Sequence, residues 1–438
     1  VKKFGIIFAI ALNLIGLSSC QRNIFESDTV APTTLRDVPA LRLNFRFEND
    51  VPAPPDKNAN AQSEEKNEAI QADFNQNRPQ EMLEKTILSP DKKRFLVVYR
   101  KDGDLDETFR LDMFTAEGKL LNKITPNGLA VYYPDTILWS PDSNSVAFVG
   151  KTRPEQTAPT PQPNAPPPPS LENTNSTVEA NSNVETNSNP NTESNANLST
   201  PIEPGKQVLT FRTEQIYTCQ AEGKDLKPIT QNEGLVYFYF VWSPDSSALA
   251  TLATSWREWN WWYWDAKQKG EAYIPKGRPR VVEKTGRIRL LDDNVTPTRP
   301  VWSPDSAKIA LAFDKEVRIY DAIGNTPTQA AIPLRNQMLL AAKKYDEEII
   351  RQEAANSNTN TNTNANVPNN STPSDVNVLP DEKLLLSFNP IIQLDWSEDK
   401  ILYLQTGFIL EFTGEKAAYS ARNKLRWHRL LLSPQPVK

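Results

Sequence analysis

Trp139-Ser140-Pro141-Asp142 is followed by the apolar run Val146-Ala147-Phe148-Val149, and the phrase returns at Trp242-Ser243-Pro244-Asp245 and Trp302-Ser303-Pro304-Asp305. Weaker copies stand at Leu88-Ser89-Pro90-Asp91 and Trp396-Ser397-Glu398-Asp399. A unit recurring about every 50 residues decides the architecture before any local reading does, because such periods belong to propellers and solenoids. It also moves the functional question from chemistry toward recognition.

Each copy has one physical grammar. Ser, Pro and Asp in succession suit a type I turn, since Pro pre-sets φ and the polar side chains cap nearby backbone. Strand-like runs follow at Phe95–Tyr99, Ile309–Phe313 and Ile401–Leu404 as well. Downstream lies a second turn carrying glycine, at Gly118, Gly223, Gly324 and Gly414. Strand, turn, strand, glycine hairpin and strand make the plan of a four-stranded antiparallel blade.

Spacing agrees. Ser89 and Ser140 are 51 residues apart. Ser140 and Ser243 are 103 apart, of which a Pro- and Asn-rich insert at 152–205 takes 54 and leaves 49. Asp91 precedes Gly118 by 27; Asp142 precedes Gly223 by 81, or 27 without the same 54. The next interval, Ser243 to Ser303, is 60. Ser303 to Ser397 is 94, which a second insert of 48 residues at 333–380 reduces to 46.

With these residues in hand, the repeat resembles that of TolB-like β-propellers over roughly residues 81–438, inserts excluded. An all-β propeller of five to six four-stranded blades is expected, five being counted from the copies and six favoured by the resemblance, which also implies a role in binding envelope proteins. The chain departs from the family pattern where Gly usually follows the Asp: Lys92, Ser143, Ser246 and Ser306 stand there. Glu398 also replaces Pro in the last copy. Leu430–Pro434 reads as the start of a further copy. Residues 41–49 alternate apolar and polar, as a half-buried, ring-closing strand would.

At the N-terminus, Lys2 and Lys3 precede an apolar stretch from Gly5 to Leu17, too short for a span of about 20 residues but suited to a signal-peptide core. Leu17-Ser18-Ser19-Cys20 resembles a bacterial lipobox. That resemblance implies a signal peptide at 1–19, acylation of Cys20, and a lipid-anchored stalk over 20–80. Gln21, rather than Asp, then favours the outer membrane over inner-membrane retention. The second cysteine, Cys219, closes the strand-like run Gln215–Cys219 and is read as a buried small hydrophobe.

Composition bounds the rest. The 438 residues carry a net charge of −5 and no basic cluster, so phosphate backbones are poor partners. Residues 51–80, 152–205 and 355–379 are too polar to offset chain entropy and are expected to stay disordered. One inserted helix is predicted over 335–354, with Met338, Ala341, Ala342, Tyr345 and Ile349 on one face.

The most distinctive segment outside the repeat is Trp256-Arg257-Glu258-Trp259-Asn260-Trp261-Trp262-Tyr263-Trp264, holding five of the ten tryptophans. Read as a strand, it puts Trp259, Trp261 and Tyr263 on one face, with Trp262 and Trp264 on the other. One face would then cover the adjacent blade, while the other either stacks on the insert or forms an exposed aromatic platform for a protein or a glycan. Arg257, Arg278 and Arg280 are nearby candidate anchors. Catalysis has little to stand on. The single histidine, His428, cannot make a multi-His metal site, no Cys/His ligand spacing exists, and no cofactor motif is present. The turns account for the repeated aspartates. Two readings follow: a non-catalytic envelope scaffold, or a carbohydrate- or peptidoglycan-binding module, with a cryptic glycan-active enzyme using paired acids as its variant.

Overall fold

The computed structural model describes residues 34–55, 62–154, 208–324, 326–357, 378–410 and 424–435. Five antiparallel sheets follow one another along the chain, each a propeller blade. The first strand, β1 (Leu43–Val51), belongs to the last blade. Blade one comprises β2 (Ser63–Glu64), β3 (Glu81–Leu88), β4 (Arg94–Lys101), β5 (Arg110–Thr115) and β6 (Leu120–Lys123), with α1 (Glu68–Asn77) between β2 and β3. Blade two holds β7 (Leu129–Tyr132), β8 (Leu138–Trp139), β9 (Ser145–Thr152), β10 (Gln215–Gln220) and β11 (Lys227–Pro228). Blade three holds β12 (Leu235–Trp242), β13 (Ala248–Ser255), β14 (Arg278–Glu283) and β15 (Ile288–Leu290), with α2 (Trp256–Lys269) between β13 and β14. In blade four run β16 (Val301–Trp302), β17 (Lys308–Phe313), β18 (Glu316–Asp321) and β19 (Gln329–Pro333), and α3 (Arg335–Ser357) follows. Blade five pairs β20 (Ser387–Phe388) and β21 (Ile391–Glu398) with β22 (Ile401–Leu410), then β23 (Lys424–Pro434), then β1.

The repeated phrase is the hinge of every blade. The Ser140, Ser243 and Ser303 carbonyls each accept from the N–H three residues on, and their hydroxyls cap the backbone N–H five residues on. Each Trp then wedges against the preceding blade: Trp139 Nε1 donates to Ile87 O, Trp242 Nε1 to Leu138 O, and Trp302 Nε1 to Val241 O. The departure from Gly has a physical reason. Lys92, Ser143, Ser246 and Ser306 all sit at φ near 60°, the left-handed region. Three of them use the side chain that Gly lacks. Ser143 Oγ accepts from Asp91 N at 3.0 Å, Ser246 Oγ from Asp142 N at 3.1 Å, and Ser306 Oγ from Asp245 N at 3.0 Å. Each serine latches its blade to the one before.

Hydrophobic clusters join blade one to two, two to three, three to four and four to five. Among the described residues none joins blade five to blade one. That face of blade one is covered instead by α1, whose Ile70 and Phe74 pack on Leu88, Phe95, Val97, Tyr99 and Phe114. Here the structure corrects the sequence reading of 51–80 as a flexible stalk. Asn67 caps the helix through Ile70 N, and two large apolar side chains one turn apart supply a buried stripe within an otherwise polar stretch. Gly118 completes the fit: at φ 85° it lies so close to α1 that a Cβ would meet Ala69 at 2.5 Å.

β1 runs antiparallel to β23, with Phe45 opposite Leu432 and Phe47 opposite Leu430. Residues 430–434 therefore end blade five, and the described residues form five blades without a sixth. Strand direction sorts the connections onto two faces. The Trp-Ser-Pro-Asp turns and the hairpins at Gly118, Gly223 and Gly324 share one, the turn face, while Gly414 lies outside the described residues. The β13–β14 connection bearing α2, the β19-to-α3 exit, both ends of the 155–207 segment and the entry to β20 lie on the other, the loop face. The 335–354 helix is present as α3, with Met338, Leu339, Ala342 and Tyr345 buried. Cys219 is buried, and burial pushes its thiol up to about 12.

Candidate functional site: the aromatic helix of blade three

Residues 256–264 form the first turns of α2, not a strand. Their tryptophans favour strands weakly, but the flanks carry strong helix signals. Ser255 is the N-cap and Glu258 completes a capping box: Ser255 Oγ accepts from Glu258 N, while Glu258 Oε2 accepts from Ser255 N. Gly270, at φ 68°, ends the helix with its N–H turned back to Ala266 and Lys267 carbonyls. Arg278 grips Glu258 through two bonds of 2.8 and 2.9 Å. This guanidinium fork holds the Glu258 carboxyl down to about 2, so it stays ionised. The cost is that Arg278 is committed within the fold and is not a free anchor.

The helical period splits the aromatic residues differently from a strand. Trp259 turns inward and packs on Phe238 and Tyr273, each with centroids 5.2 Å away, and on Tyr133 of blade two at 6.2 Å. Trp262 lies under the Lys276 ammonium, 4.6 Å from its ring. The others face out. Trp256, Trp261, Tyr263 and Trp264 are 46, 56, 52 and 48 % exposed, and Ile274 beside them is 68 % exposed. Trp261 and Trp264 lie side by side with centroids 5.4 Å apart. Large aromatic residues so exposed on a well-capped helix form a preorganised contact surface.

Arg257, Lys267 and Lys269 rim the surface, Lys269 paired with Asp265 at 2.8 Å. Arg280 lies half-buried in β14, beside Tyr237. Sequence reading missed Ile274, Lys276 and Tyr273; the Ser255-x-x-Glu258 box followed by Gly270 was the signal that could have found the helix and its trailing loop.

The remaining predicted positions are structural or beyond view. Ser89, Ser140, Ser243 and Ser303 each donate to the aspartate two residues on, namely Asp91, Asp142, Asp245 and Asp305. Pro90, Pro141, Pro244 and Pro304 stand between them in the turns. Trp396 Nε1 bonds Asp399 O within its own turn, with Ser397 beside it. Cys20 lies outside the described residues. His428 is buried; its Nε2 is 2.8 Å from Thr406 Oγ1, and its Nδ1 accepts from Asp50 N. Among the described residues no three His, Cys, Asp or Glu side chains are grouped to hold a metal ion.

No protein-family model matches the chain, and no curated protein matches it. Among solved structures it is similar to prolyl oligopeptidase B from Galerina marginata, at 9 % identity and TM-score 0.37, over 80 % of this chain and 36 % of that one. It is also similar to dipeptidyl peptidase 4 from Porphyromonas gingivalis, at 8 % identity and TM-score 0.31, over 57 % and 33 %. A Niastella koreensis GH74 enzyme aligns at 12 % identity and TM-score 0.21, over 56 % and 37 %. The chain spans about a third of each of these proteins.

Proposed function

We propose that this protein is a non-catalytic β-propeller scaffold of the bacterial cell envelope, tethered through acylated Cys20 to the outer membrane, that docks an envelope protein on α2. The observation that carries the reading is the group of four half-exposed aromatic side chains on one capped helix. The TolB-like form of the repeat supports a protein partner.

Chain direction supports the orientation. Arg36 donates to Asp305 O in a turn-face hinge, so the described chain begins on that side, while α2 lies on the loop face. The thirteen residues 21–33 reach at most about 45 Å. A lipid tether on the turn face thus points α2 away from its own bilayer. A non-catalytic role is supported by the engagement of buried carboxylates: Asp104 with Arg110 and Arg153, Glu214 with Lys151, and Asp292 with Arg318.

The test is brief crosslinking in intact cells, comparing wild type with a Trp256→Ser, Trp261→Ser, Trp264→Ser variant. Trp259 is left in place because it packs between blades. A protein crosslinked at α2 and lost in the variant is the expected result. Identical profiles would overturn the reading, and recovery of glycan in place of protein would assign the surface to carbohydrate.

A further inference from the structure

We propose that the aromatic face of α2 is occupied by the chain's own proline-rich stretch, Ala158–Ser170 (APTPQPNAPPPPS). This rests on the reading of α2 as a docking platform and names the chemistry that the platform takes.

Chemistry comes first. Seven of the thirteen residues in the stretch are proline and none is charged. Proline-rich sequences favour the polyproline II helix, which has no internal hydrogen bonds and presents its carbonyls outward. Aromatic-lined surfaces recognise that shape: proline rings lie on indole and phenol faces, while Trp N–H and Tyr O–H groups donate to the carbonyls. α2 offers three exposed indoles and one phenol. Trp256 and Tyr263 are seven residues apart, about 10 Å along a helix, close to the roughly 9 Å of three polyproline II residues. The two acids of the helix, Glu258 and Asp265, are paired to Arg278 and Lys269, which suits an uncharged ligand.

Connectivity makes this occupant specific. The chain leaves blade two after β9, on the loop face, and the next blade along carries α2 on that face. Trp259 packs on Tyr133, so α2 reaches toward the blade from which the stretch departs. From Pro154 to Pro166 is twelve residues, about 37 Å at 3.1 Å each. The remaining 38 residues from Ser170 to Val208 leave ample length for the return. A linker of this kind sets an effective concentration on the order of 1 mM. Against a dissociation constant on the order of 0.1 mM, the attached stretch would weaken an added copy about tenfold.

The experiment uses the full chain and a variant lacking residues 155–170, with a synthetic peptide of residues 158–170 as probe. Calorimetry measures peptide affinity, and acrylamide quenching measures tryptophan exposure. The expected results are saturable binding to the deletion variant, about tenfold weaker binding to the full chain, and stronger quenching after deletion. Adding Trp261→Ser and Trp264→Ser to the deletion variant should abolish binding. Near-UV circular dichroism of the propeller confirms that both variants are folded. No binding at millimolar peptide would overturn the inference, as would equal affinity for deletion and full chain, or binding that ignores the tryptophans. Flotation of the deletion variant with phosphatidylglycerol-containing vesicles, without peptide binding, would also overturn it and assign the face to a lipid surface. If peptide binding fails while crosslinks to an envelope protein still map to α2, this inference falls and the docking platform stands.

Discussion

His428 makes the stability of blade five sensitive to mild acid. It lies on β23 between β1 and β22, with Phe47 5.5 Å from its ring, Thr406 on one nitrogen and the Asp50 amide on the other. An amide N–H can only donate, so Nδ1 carries no proton. The neutral ring therefore holds its proton on Nε2 and donates it to Thr406 Oγ1. Protonation would set an N–H against the Asp50 N–H within a buried site. Burial accordingly holds the ring down to about 4 from its ordinary 6.5, with Asp50 opposing and Arg426 reinforcing the shift.

Because the folded-state value lies below the unfolded one, the unfolded chain takes up the proton first as pH falls. Stability is intact above about 6.5, declines through the window to 4, and then levels off. A shift of this size corresponds to about 3 kcal/mol in full, of which about 2 kcal/mol is already lost at pH 5. The chain has one histidine, so its ring gives a single pair of nitrogen signals in a long-range proton–nitrogen spectrum. Following that pair against pH reads the value directly. Urea melts at pH 7 and pH 5 then compare wild type with His428→Gln, which cannot titrate. The wild type should lose about 2 kcal/mol more than the variant over that interval. A ring value at or above 6.5, or equal losses in both proteins, would refute the reasoning.

Ser246 should tolerate Gly better than Ala: Gly relieves the left-handed backbone while giving up the bond to Asp142 N, whereas Ala gives up the bond and keeps the strain. Urea melts should place Ser246→Ala about 1–3 kcal/mol below wild type and Ser246→Gly above Ala. Phe74→Ala should cost about 3–5 kcal/mol by the same assay, since it opens a cavity between α1 and blade one; a silent substitution would return 62–80 to a solvated stalk.

The blades were legible because a turn that needs Ser, Pro and Asp at fixed places leaves those letters in the chain, and β4, β9, β17 and β22 follow those turns as the runs predicted. The helices α1 and α2 were not legible by the same means. α1 buries only Ile70 and Phe74, too few letters to mark a period in a polar stretch. α2 is written in residues that favour strands, and its helical state is decided at its ends by Ser255, Glu258 and Gly270. Its division into an inward Trp259 and outward Trp256, Trp261 and Trp264 depends on that state, because a period of 3.6 and a period of 2 assign the same letters to different faces. Arg278 illustrates the limit: nothing in its sequence neighbourhood separates a free anchor from a guanidinium held by Glu258, twenty residues away.

The imperfect copies of the repeat carry information of their own. In a stack of units the terminal members are atypical, because each has a face with no neighbouring unit to cover it. Leu88 replaces Trp in blade one, which has no preceding blade for an indole to reach; α1 covers that face instead. In blade five Glu398 replaces Pro, and Trp396 Nε1 turns back to Asp399 rather than across to blade four. The seam between those blades is then made good by the N-terminal segment. Leu35, Val38 and Ala40 enter its hydrophobic cluster, and Ala40 N donates to Asp321, which also holds Lys308. The indole and serine ties thus run unbroken only from blade one to blade four, and the chain ends secure the rest. A truncation that removes residues 34–51 takes away both the seam filler and the outer strand of blade five, so these residues belong to the propeller.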